Sequence, residues 1–211
     1  MSDRLGDRRL YLCTPDRPDL EQFLEVCIAG GVDIVQLRAK ELDARSLIDR
    51  ARLAVNVCRA HGVPFILNDR PDLALEVEAD GVHVGQEDAP PSLARRVLGP
   101  DAIVGLSTHA PTELDAALHD EPVDYLSAGP VSPTPTKPGR PGTGLRYLTY
   151  VVERAKVPWF VTGGVTPKTV PTMAAAGARR FVVVRWLTEA EDPDAAAREL
   201  RAAIEKALGI G

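Results

Sequence analysis

Short apolar runs alternate along the chain with longer segments in which apolar residues recur every three or four positions. The short runs are rich in Val, Ile and Leu, which favours β-strands. Eight of them occur, at residues 9–13, 33–38, 64–68, 81–85, 102–107, 124–129, 159–164 and 180–184. The longer segments carry the apolar stripe of an amphipathic helix. They cover residues 19–29, 43–60, 71–77, 90–98, 111–118, 144–155, 169–176 and 192–208.

The regular alternation of strands and helices predicts an α/β fold with a parallel sheet. Eight strand–helix units predict a single (β/α)8 barrel, the TIM-barrel fold, over residues 1–211. The alternative is an open, doubly wound sheet. The strand count favours the barrel, and so does the lack of a dinucleotide-binding GxGxxG motif after the first strand.

The composition is that of a globular protein, with 45% hydrophobic and 26% charged residues. A net charge of -5 argues against a nucleic-acid partner. No apolar stretch has the length of a signal-peptide core or a membrane span, so we expect a cytoplasmic protein with no membrane partner. Cys13, Cys27 and Cys58 form no CxxC pair, and we expect buried free thiols. The pattern makes no prediction of oligomeric state.

Polar residues cluster directly after the predicted strands, at the carboxyl ends where the active sites of such barrels lie. Gln36, Arg38 and Lys40 follow the second strand, Asn68 and Asp69 the third, Gln86 and Asp88 the fourth, Ser107, Thr108 and His109 the fifth, Thr134, Thr136 and Lys137 the sixth, Thr162, Gly163 and Gly164 the seventh, and Val184 and Arg185 the eighth. Residues 130–143 form a long loop rich in Pro, Gly and Thr, and loops of that length are usually functional.

The charges in this ring suit a phosphate or diphosphate ligand. Three residues are cationic, and the glycine pair at 163–164 can present backbone N–H groups to an anion. The cations are Arg38, Lys40 and Lys137. Asp69 and Asp88 would repel such a ligand unless a metal ion lay between, and Mg²⁺ takes one or two carboxylates together with phosphate oxygens. We therefore expect Asp69 and Asp88 to bind Mg²⁺.

Structural roles stay open for several of these residues. Asp69 and Asp88 each stand shortly before a predicted helix, where an aspartate commonly caps the helix. The glycine pair at 163–164 could form only a tight turn. His83 lies in alternation within a strand and is expected to be a packed, hydrogen-bonded residue. Nucleophile and metalloprotease motifs such as GxSxG and HExxH are absent from the sequence.

At these residues the sequence resembles the thiamine-phosphate synthase family. The resemblance covers nearly the whole chain in order, and the VHVGQED and PTPTK segments are its most specific parts. It rests on QLRAK (36–40), LNDR (67–70), DGVHVGQED (80–88), GLSTH (105–109), GPVSPTPTKPGRPGTGL (129–145) and TGGV (162–165).

The resemblance implies a transferase of thiamine biosynthesis with the same barrel fold. Its substrates would be 4-amino-2-methyl-5-(diphosphooxymethyl)pyrimidine and a thiazole phosphate, and its products thiamine phosphate and diphosphate. By motif, the substrate-binding residues would be Gln36, Leu37, Arg38, Ala39, Lys40, Asn68, Ser107, Thr134, Pro135, Thr136, Lys137, Gly164, Val184 and Arg185. Ser107 would contact the pyrimidine, and Asp69 and Asp88 would hold the Mg²⁺ cofactor.

The resemblance also implies a mechanism that depends on charge. The bond to diphosphate breaks with the help of Mg²⁺, and the thiazole nitrogen attacks the resulting pyrimidine carbocation. Arg38, Lys40 and Lys137 would be catalytic because they stabilise the departing negative charge. The attacking nitrogen carries no proton, so the reaction needs no general base.

The chain departs from the family pattern after the eighth predicted strand. Many members carry a Val-Ser-Ala-Ile turn there, which holds the thiazole phosphate. This chain reads Val183-Val184-Arg185-Trp186-Leu187. Backbone contacts at Val184 survive such a change, while Arg185 either adds a cation to the site or points to solvent.

Two other functions fit the same barrel. One is a thiazole tautomerase that uses His109 as its acid and base. It would not need the metal carboxylates or the diphosphate cations that this sequence retains. The other is a non-catalytic sensor that binds a phosphate ligand without turnover.

Overall fold

The computed structural model describes residues 5–120, 122–133 and 142–210. Its strands pair in chain order, each parallel to the next, and β1 pairs with β8 to close the barrel. The strands are β1 (Leu10–Thr14), β2 (Ile34–Leu37), β3 (Phe65–Asn68), β4 (Gly81–Val84), β5 (Ile103–Thr108), β6 (Tyr125–Ala128), β7 (Trp159–Val161) and β8 (Phe181–Val183). The predicted (β/α)8 barrel is therefore confirmed, and the open-sheet alternative is wrong.

Helices connect the strands around the outside of the barrel. They are α1 (Leu20–Ala29), α2 (Ala44–Ala60), α3 (Pro71–Glu76), α4 (Pro91–Leu98), α5 (Pro111–Asp120), α6 (Gly144–Arg154), α7 (Val170–Ala175), α8 (Arg185–Thr188) and α9 (Pro193–Leu208). The one-turn helix α8 was not predicted, because four residues are too few to show a helical period. None of the helices among the described residues is long and apolar enough to cross a membrane.

Local sequence signals explain where several helices begin. Asp43 and Asp192 accept hydrogen bonds from the backbone N–H groups of Ser46 and Ala195, and so cap α2 and α9. Proline occupies the first turn of α3, α4 and α9, where its missing N–H group has no partner to lose. These caps place each helix start a few residues after the strand that precedes it.

Aspartates tie neighbouring strands together at the amino end of the barrel. Asp33, just before β2, accepts hydrogen bonds from the N–H groups that begin β1. Asp80 accepts from Phe65 at the start of β3, and Asp124 accepts from Val104 in β5, both at 2.8 Å. This end of the barrel therefore uses its carboxylates for structure, which leaves the opposite end for ligand chemistry.

Side chains alternate between two apolar layers because successive residues of a strand point to opposite faces. One layer lies between the sheet and the helices and includes Leu10, Leu12 and Leu37. The other fills the lower part of the barrel interior and consists of Leu5, Tyr11, Ile34, Ile66, Ile103, Tyr125 and Phe160. Nearer the carboxyl ends, the interior positions become polar and open into a cavity.

Gly105 lets the ring of Tyr125 cross the barrel interior. The two residues are paired in register on β5 and β6. A Cβ atom at position 105 would lie 2.1 Å from Cζ of Tyr125, which is far inside van der Waals contact. Glycine is therefore needed at this position for steric reasons.

We expect Gly105→Ala to lower the free energy of unfolding by at least about 3 kcal/mol, because the overpacked ring and strand must move apart. Gly62→Ala is the matched control. Its Cβ meets nothing within 4 Å, and only its φ of 66° disfavours alanine. The control should lose about 1 kcal/mol. Urea denaturation followed by circular dichroism measures both values, and equal losses would contradict the steric explanation.

Candidate functional site

A cavity of about 1070 Å³, including its open mouth, lies at the carboxyl end of the barrel. Every strand contributes to its wall directly or through the loop that follows it. The lining residues are Tyr11, Cys13, Gln36, Arg38, Lys40, Asn68, Asp69, His83, Gly85, Asp88, Ser107, Ser127, Pro130, Thr162, Gly163, Gly164, Val165, Thr166, Val182, Val184, Arg185 and Trp186. The cavity therefore brings together most of the described residues of the sequence-predicted polar ring, but Gln86, Thr108 and His109 do not line it.

Strand register explains why the polar side chains share this cavity. Cys13 pairs with Gln36, Asn68 with His83, and Ser107 with Ser127. Each pair belongs to the inward-facing set of its strands, because residues two positions apart share a face. A row of polar groups consequently crosses adjacent strands just above the apolar interior.

Asp69 and Asp88 meet at one side of the cavity although 19 residues separate them. Each aspartate lies close enough to the other to shift its pKa. Lys40 places its Nζ atom 2.6 Å from Oδ2 of Asp69. The backbone N–H group of Gly85 donates to Oδ2 of Asp88 at 2.8 Å, and a Cβ atom at 85 would crowd that oxygen at 2.8 Å. Glycine at 85 thus leaves room for the second carboxylate.

The two carboxyl groups influence each other, and their pKa values are shifted in opposite directions. Burial raises the pKa of Asp69, and the nearby Asp88 raises it further, against the lowering effect of Lys40. Burial opposes ionisation of Asp88 too, but its bonds to Asp69 and to the Gly85 N–H group bring its pKa below the usual value. Two carboxylates held this close repel each other, which is a charge distribution that a divalent cation would relieve.

Neither aspartate caps the helix that follows it. The first residue before α3 is Arg70 and the one before α4 is Pro90, and no side chain caps either helix. Asp69 instead adopts a left-handed backbone with φ of 64°. Such a conformation costs a non-glycine residue roughly 1–2 kcal/mol. Strain of this kind is concentrated at functional sites, so the capping interpretation fails and the functional one gains support.

Among the described residues, three cations line the cavity: Arg38, Lys40 and Arg185. Arg38 follows β2, and its backbone N–H group donates to Thr14, which extends the strand pairing by one residue. Arg185 is exposed and begins the short helix α8 beside Val184, which also faces the cavity. Lys137, the third cation predicted from the sequence, lies outside the described residues, as do Thr134, Pro135 and Thr136.

The glycine pair after β7 is a turn that borders the cavity. Gly163 and Gly164 have φ values of 93° and 79°, which other residues rarely adopt. A Cβ atom at 163 would lie 2.5 Å from the side chain of Pro130. The N–H group of Val131 donates to the carbonyl of Thr162 at 2.8 Å. Packing therefore holds the start of the 130–143 loop against this turn.

The remaining predicted positions divide between the two faces of the sheet. Leu37 is fully buried in the outer apolar layer, so its side chain points away from the cavity. Ala39 is partly buried against the same layer. Gln36, Asn68 and Ser107 are nearly buried and line the cavity. Only the backbone of Leu37 can therefore take part in binding.

Several cavity residues were missed by the search for polar residues after strand ends. Tyr11, Cys13 and Ser127 lie within their strands and face inward. Period-two alternation is the signal that could have found them, since each is two residues from another interior position. Trp186 also lines the cavity, and its Nε1–H group donates to the carbonyl of Ala196. Trp186 lies in α8, the short helix after β8, which has no sequence signal.

Histidine and cysteine side chains have the structural surroundings that were expected for them. His83 is buried, with Nδ1 2.9 Å from Tyr125 Oη and Nε2 2.9 Å from Ser107 Oγ. The three cysteines are buried free thiols. Burial raises the pKa of Cys27 and of Cys58 to about 12. Both of those thiols are therefore packing residues and not nucleophiles at neutral pH.

His109 lies at the end of β5, outside the cavity wall that the described residues form. Its Nδ1 atom is 2.8 Å from Oε2 of Glu113, and its backbone N–H group donates to the same oxygen at 2.7 Å. The Glu113 carboxylate thus holds both the ring and the backbone of His109 at the start of α5.

Comparison with known proteins connects this geometry to a family. A family model described as thiamine monophosphate synthase matches residues 10–187. The thiamine-phosphate synthase of Thermobifida fusca is 49% identical over 202 residues, with 94% of this chain and 93% of that protein covered. The thiamine-phosphate synthase of Thermus thermophilus is 49% identical over 208 residues, covering 96% of this chain and 98% of that protein.

A solved structure gives the same answer for the fold. The thiamine phosphate pyrophosphorylase from Pyrococcus furiosus superposes on this chain with a TM-score of 0.87 and 30% identity. The match covers 97% of this chain and 98% of that one. Similarity in sequence and in structure therefore extends across the whole barrel and its cavity.

We expect Asp69→Asn to raise the free energy of unfolding of the metal-free protein near pH 7, by about 1 kcal/mol. The change removes a buried charge and its repulsion from Asp88, and asparagine tolerates a left-handed backbone. The lost pair with Lys40 matters little, since the lysine side chain is 44% exposed. Thermal unfolding followed by circular dichroism measures the effect.

The gain should shrink as the pH falls through the raised pKa of Asp69, because the wild-type carboxyl is then protonated as well. Asp72→Asn is the control, since Arg70 lowers the pKa of Asp72 and the pair favours the folded state. That control should be neutral or slightly destabilising. A lower melting temperature for Asp69→Asn would show that the repulsion is not a cost to the fold.

Proposed function

The chain belongs to the thiamine monophosphate synthase family, and on that premise we propose how its cavity carries out the family's reaction. The enzyme joins a pyrimidine diphosphate to a thiazole phosphate, which gives thiamine phosphate and releases diphosphate. The observation that carries the proposal is the meeting of Arg38, Lys40, Asp69 and Asp88 in one cavity at the carboxyl end of the barrel. These residues supply the charges that a diphosphate leaving group requires.

Asp69 and Asp88 would hold Mg²⁺. Their carboxylates are adjacent, and the strained backbone of Asp69 and the glycine at 85 both serve to bring them together. Mg²⁺ is usually held by one or two carboxylates and by substrate phosphate oxygens, so this pair fits the ion. When bound, the ion supplies positive charge to the departing diphosphate.

Arg38 and Lys40 bind and stabilise the diphosphate itself. They flank Ala39 in the sequence, and both line the cavity that holds the carboxylate pair. Lys40 contacts Asp69 and is also 44% exposed, so its ammonium group can reach a ligand oxygen without leaving the carboxylate. Lys137 would add a third charge from the 130–143 loop. Negative charge grows on the diphosphate as its bond to carbon breaks, so fixed cations stabilise the departing group more than the intact substrate.

Diphosphate departure leaves a carbocation that the aminopyrimidine ring stabilises, and the thiazole nitrogen then attacks it. That nitrogen has no proton to lose, so the enzyme needs no general base. The cavity accordingly offers hydrogen-bonding groups, Asn68 and Ser107 among them, at its buried end. Their role is to orient the pyrimidine so that the vacated carbon faces the thiazole.

The second substrate would bind at the opposite wall of the cavity. Gly164 and Val184 can offer backbone N–H groups to its phosphate, and Thr134 and Thr136 would add hydroxyl groups. Arg185 lines the same wall and carries a positive charge where the family pattern has serine. We assign it to the phosphate of the thiazole substrate, since none of the described residues forms an ion pair with it.

The two alternative functions have less support. The tautomerase would use His109, which is bound to Glu113 and does not border the cavity that the described residues enclose. A sensor would not need two carboxylates held together at the cost of a strained backbone. The synthase accounts for both the acidic pair and the cations.

The proposal is tested by mixing the purified protein with both substrates and Mg²⁺ and measuring diphosphate and thiamine phosphate. We expect diphosphate release to require the thiazole phosphate and the metal. Thiazole isomerisation without coupling would favour the tautomerase. Tight binding of either phosphate compound with no turnover would favour the sensor.

The double variant Asp69→Ala with Asp88→Ala should abolish measurable turnover, with a loss of at least about 100-fold. Without the two carboxylates the protein would no longer hold the Mg²⁺ ion that stabilises the departing diphosphate. Circular dichroism should show an unchanged fold. Asp72→Ala, on the exposed start of α3, is the control and should keep full activity. Near-normal rates in the double variant would remove the metal site from these residues.

Arg185→Ser, which restores the family residue, should raise the KM for the thiazole phosphate by roughly tenfold and leave the KM for the pyrimidine diphosphate unchanged. Arg185→Lys should recover part of the loss because it keeps the charge. The unphosphorylated thiazole alcohol is the diagnostic substrate, since its use should not depend on residue 185. An effect on the pyrimidine diphosphate instead would place Arg185 in the other half of the site.

A further inference from the structure

A chain of buried hydrogen bonds crosses the barrel interior and joins two residues that line the cavity on different strands. It runs from Gln36 on β2 to Tyr11 on β1, then to Tyr125 on β6 and to His83 on β4, and it ends at Ser107 on β5. The four contacts measure 2.7, 2.9, 2.9 and 2.9 Å. Three of its residues have no role in the reaction as described above: Tyr11, Tyr125 and His83.

We propose that every donor in this hydrogen-bond chain points the same way, from Gln36 toward Ser107. This order holds His83 in its Nε2–H tautomer and turns the hydroxyl group of Ser107 toward the bound pyrimidine diphosphate. Tyr125 and His83 are then positioning residues that act through Ser107. The contact between Ser107 and the pyrimidine diphosphate rests on the proposed function, whereas the order of donors along the hydrogen bonds is a property of the free protein.

The direction starts at the side-chain amide of Gln36. Its Oε1 atom accepts from the Sγ–H group of Cys13 at 3.2 Å, which leaves Nε2 facing Oη of Tyr11. An amide nitrogen can only donate. Tyr11 therefore accepts from Gln36, and its own hydroxyl proton is directed to Oη of Tyr125 at 2.9 Å.

The order of donors continues through Tyr125 to the histidine. Tyr125 accepts from Tyr11, so its proton is directed to Nδ1 of His83 at 2.9 Å. A neutral imidazole that accepts at one nitrogen carries its proton on the other. Nε2–H of His83 then donates to Oγ of Ser107 at 2.9 Å. Burial raises the pKa of both tyrosines, so the phenol protons that this order needs are present.

Two residues of the described part of the chain donate to Ser107 in this arrangement. His83 donates from one side, and the hydroxyl group of Ser127 donates from another at 3.3 Å. A hydroxyl oxygen has two lone pairs, so its own proton points in a third direction. Ser107 borders the cavity, and an acceptor atom of the substrate there would receive that proton.

Packing keeps the chain in place. The ring of Tyr125 stacks on His83 with centroids 5.5 Å apart and meets Phe160 edge to face. Tyr11 meets Phe160 in the same way at 5.3 Å. Gly105 provides the room in which the Tyr125 ring lies. Tyr125 does not border the cavity that the described residues form, so any influence on the substrate must pass through its neighbours.

The direction is tested by ¹⁵N NMR of histidine-labelled wild-type protein without substrates. We expect His83 to show a protonated Nε2 and an unprotonated Nδ1, with its signals assigned by their loss in His83→Gln. A protonated Nδ1 would overturn the proposal, because His83 would then donate to Tyr125 and accept from Ser107, which points the Ser107 hydroxyl at the histidine. This measurement decides the direction even if the protein fails to couple the two substrates.

The role of Tyr125 is tested by Tyr125→Phe. Loss of the donor to Nδ1 should leave His83 as a mixture of tautomers. Tyr150→Phe removes a hydroxyl group on α6 that donates to Asp115, away from the buried chain, and should leave the NMR spectrum of His83 unchanged. Tyr11→Phe breaks the chain one step earlier and serves if Tyr125→Phe does not fold. An unaltered tautomer in the folded variant would overturn the proposal.

Kinetics separate positioning from general damage. Tyr125→Phe should lower kcat by about tenfold and leave the KM for the thiazole phosphate unchanged. In a Ser107→Ala background the same change should have little further effect, because the residue through which it acts is gone. An equal loss of kcat in both backgrounds would mean that Tyr125 matters only for structure.

Discussion

The register of the closed parallel sheet is the constraint on which the rest of this molecule depends. Pairing of each strand with the next, and of β8 with β1, determines which alternate side chains point into the barrel. A shift by one residue in any strand would exchange its inward and outward sets. The cavity, the carboxylate pair and the buried hydrogen bonds all require that register to hold in every strand at once.

The barrel interior changes from apolar to polar along its axis, and this gradient separates stability from function. Leu5, Ile34 and Phe160 fill the amino end, where aspartates also tie the strands together. Polar residues replace them at the carboxyl end. Asp69 keeps a left-handed backbone there, and its carboxylate lies beside that of Asp88. The packing of the apolar end stabilises the barrel that holds this arrangement. The left-handed backbone of Asp69 and its proximity to Asp88 both oppose stability at the end of the barrel where we propose that the reaction takes place.

The fold was predictable because its signals are local and repeated. Each strand and helix has its own pattern of apolar residues, and eight repeats leave few topologies. The short helix α8 was not predictable, since one turn has no period to detect. In the site, the predicted charges at residues 38, 40, 69 and 88 could be found because they follow strand ends. Tyr11, Cys13 and Ser127 could not be found in that way, because they lie inside strands.

The order of elements, the end of the barrel at which we expect the chemistry and the motifs of the family can all be read from the amino-acid sequence. Those properties depend on neighbours along the chain. The folded barrel was needed to show that Asp69 and Asp88 share one cavity and do not cap helices, and that Leu37 faces the helices. It alone joined Gln36, Tyr11, Tyr125, His83 and Ser107 into one path of hydrogen bonds. Contacts across a barrel interior join residues from distant strands, so their geometry exists only once the sheet has closed.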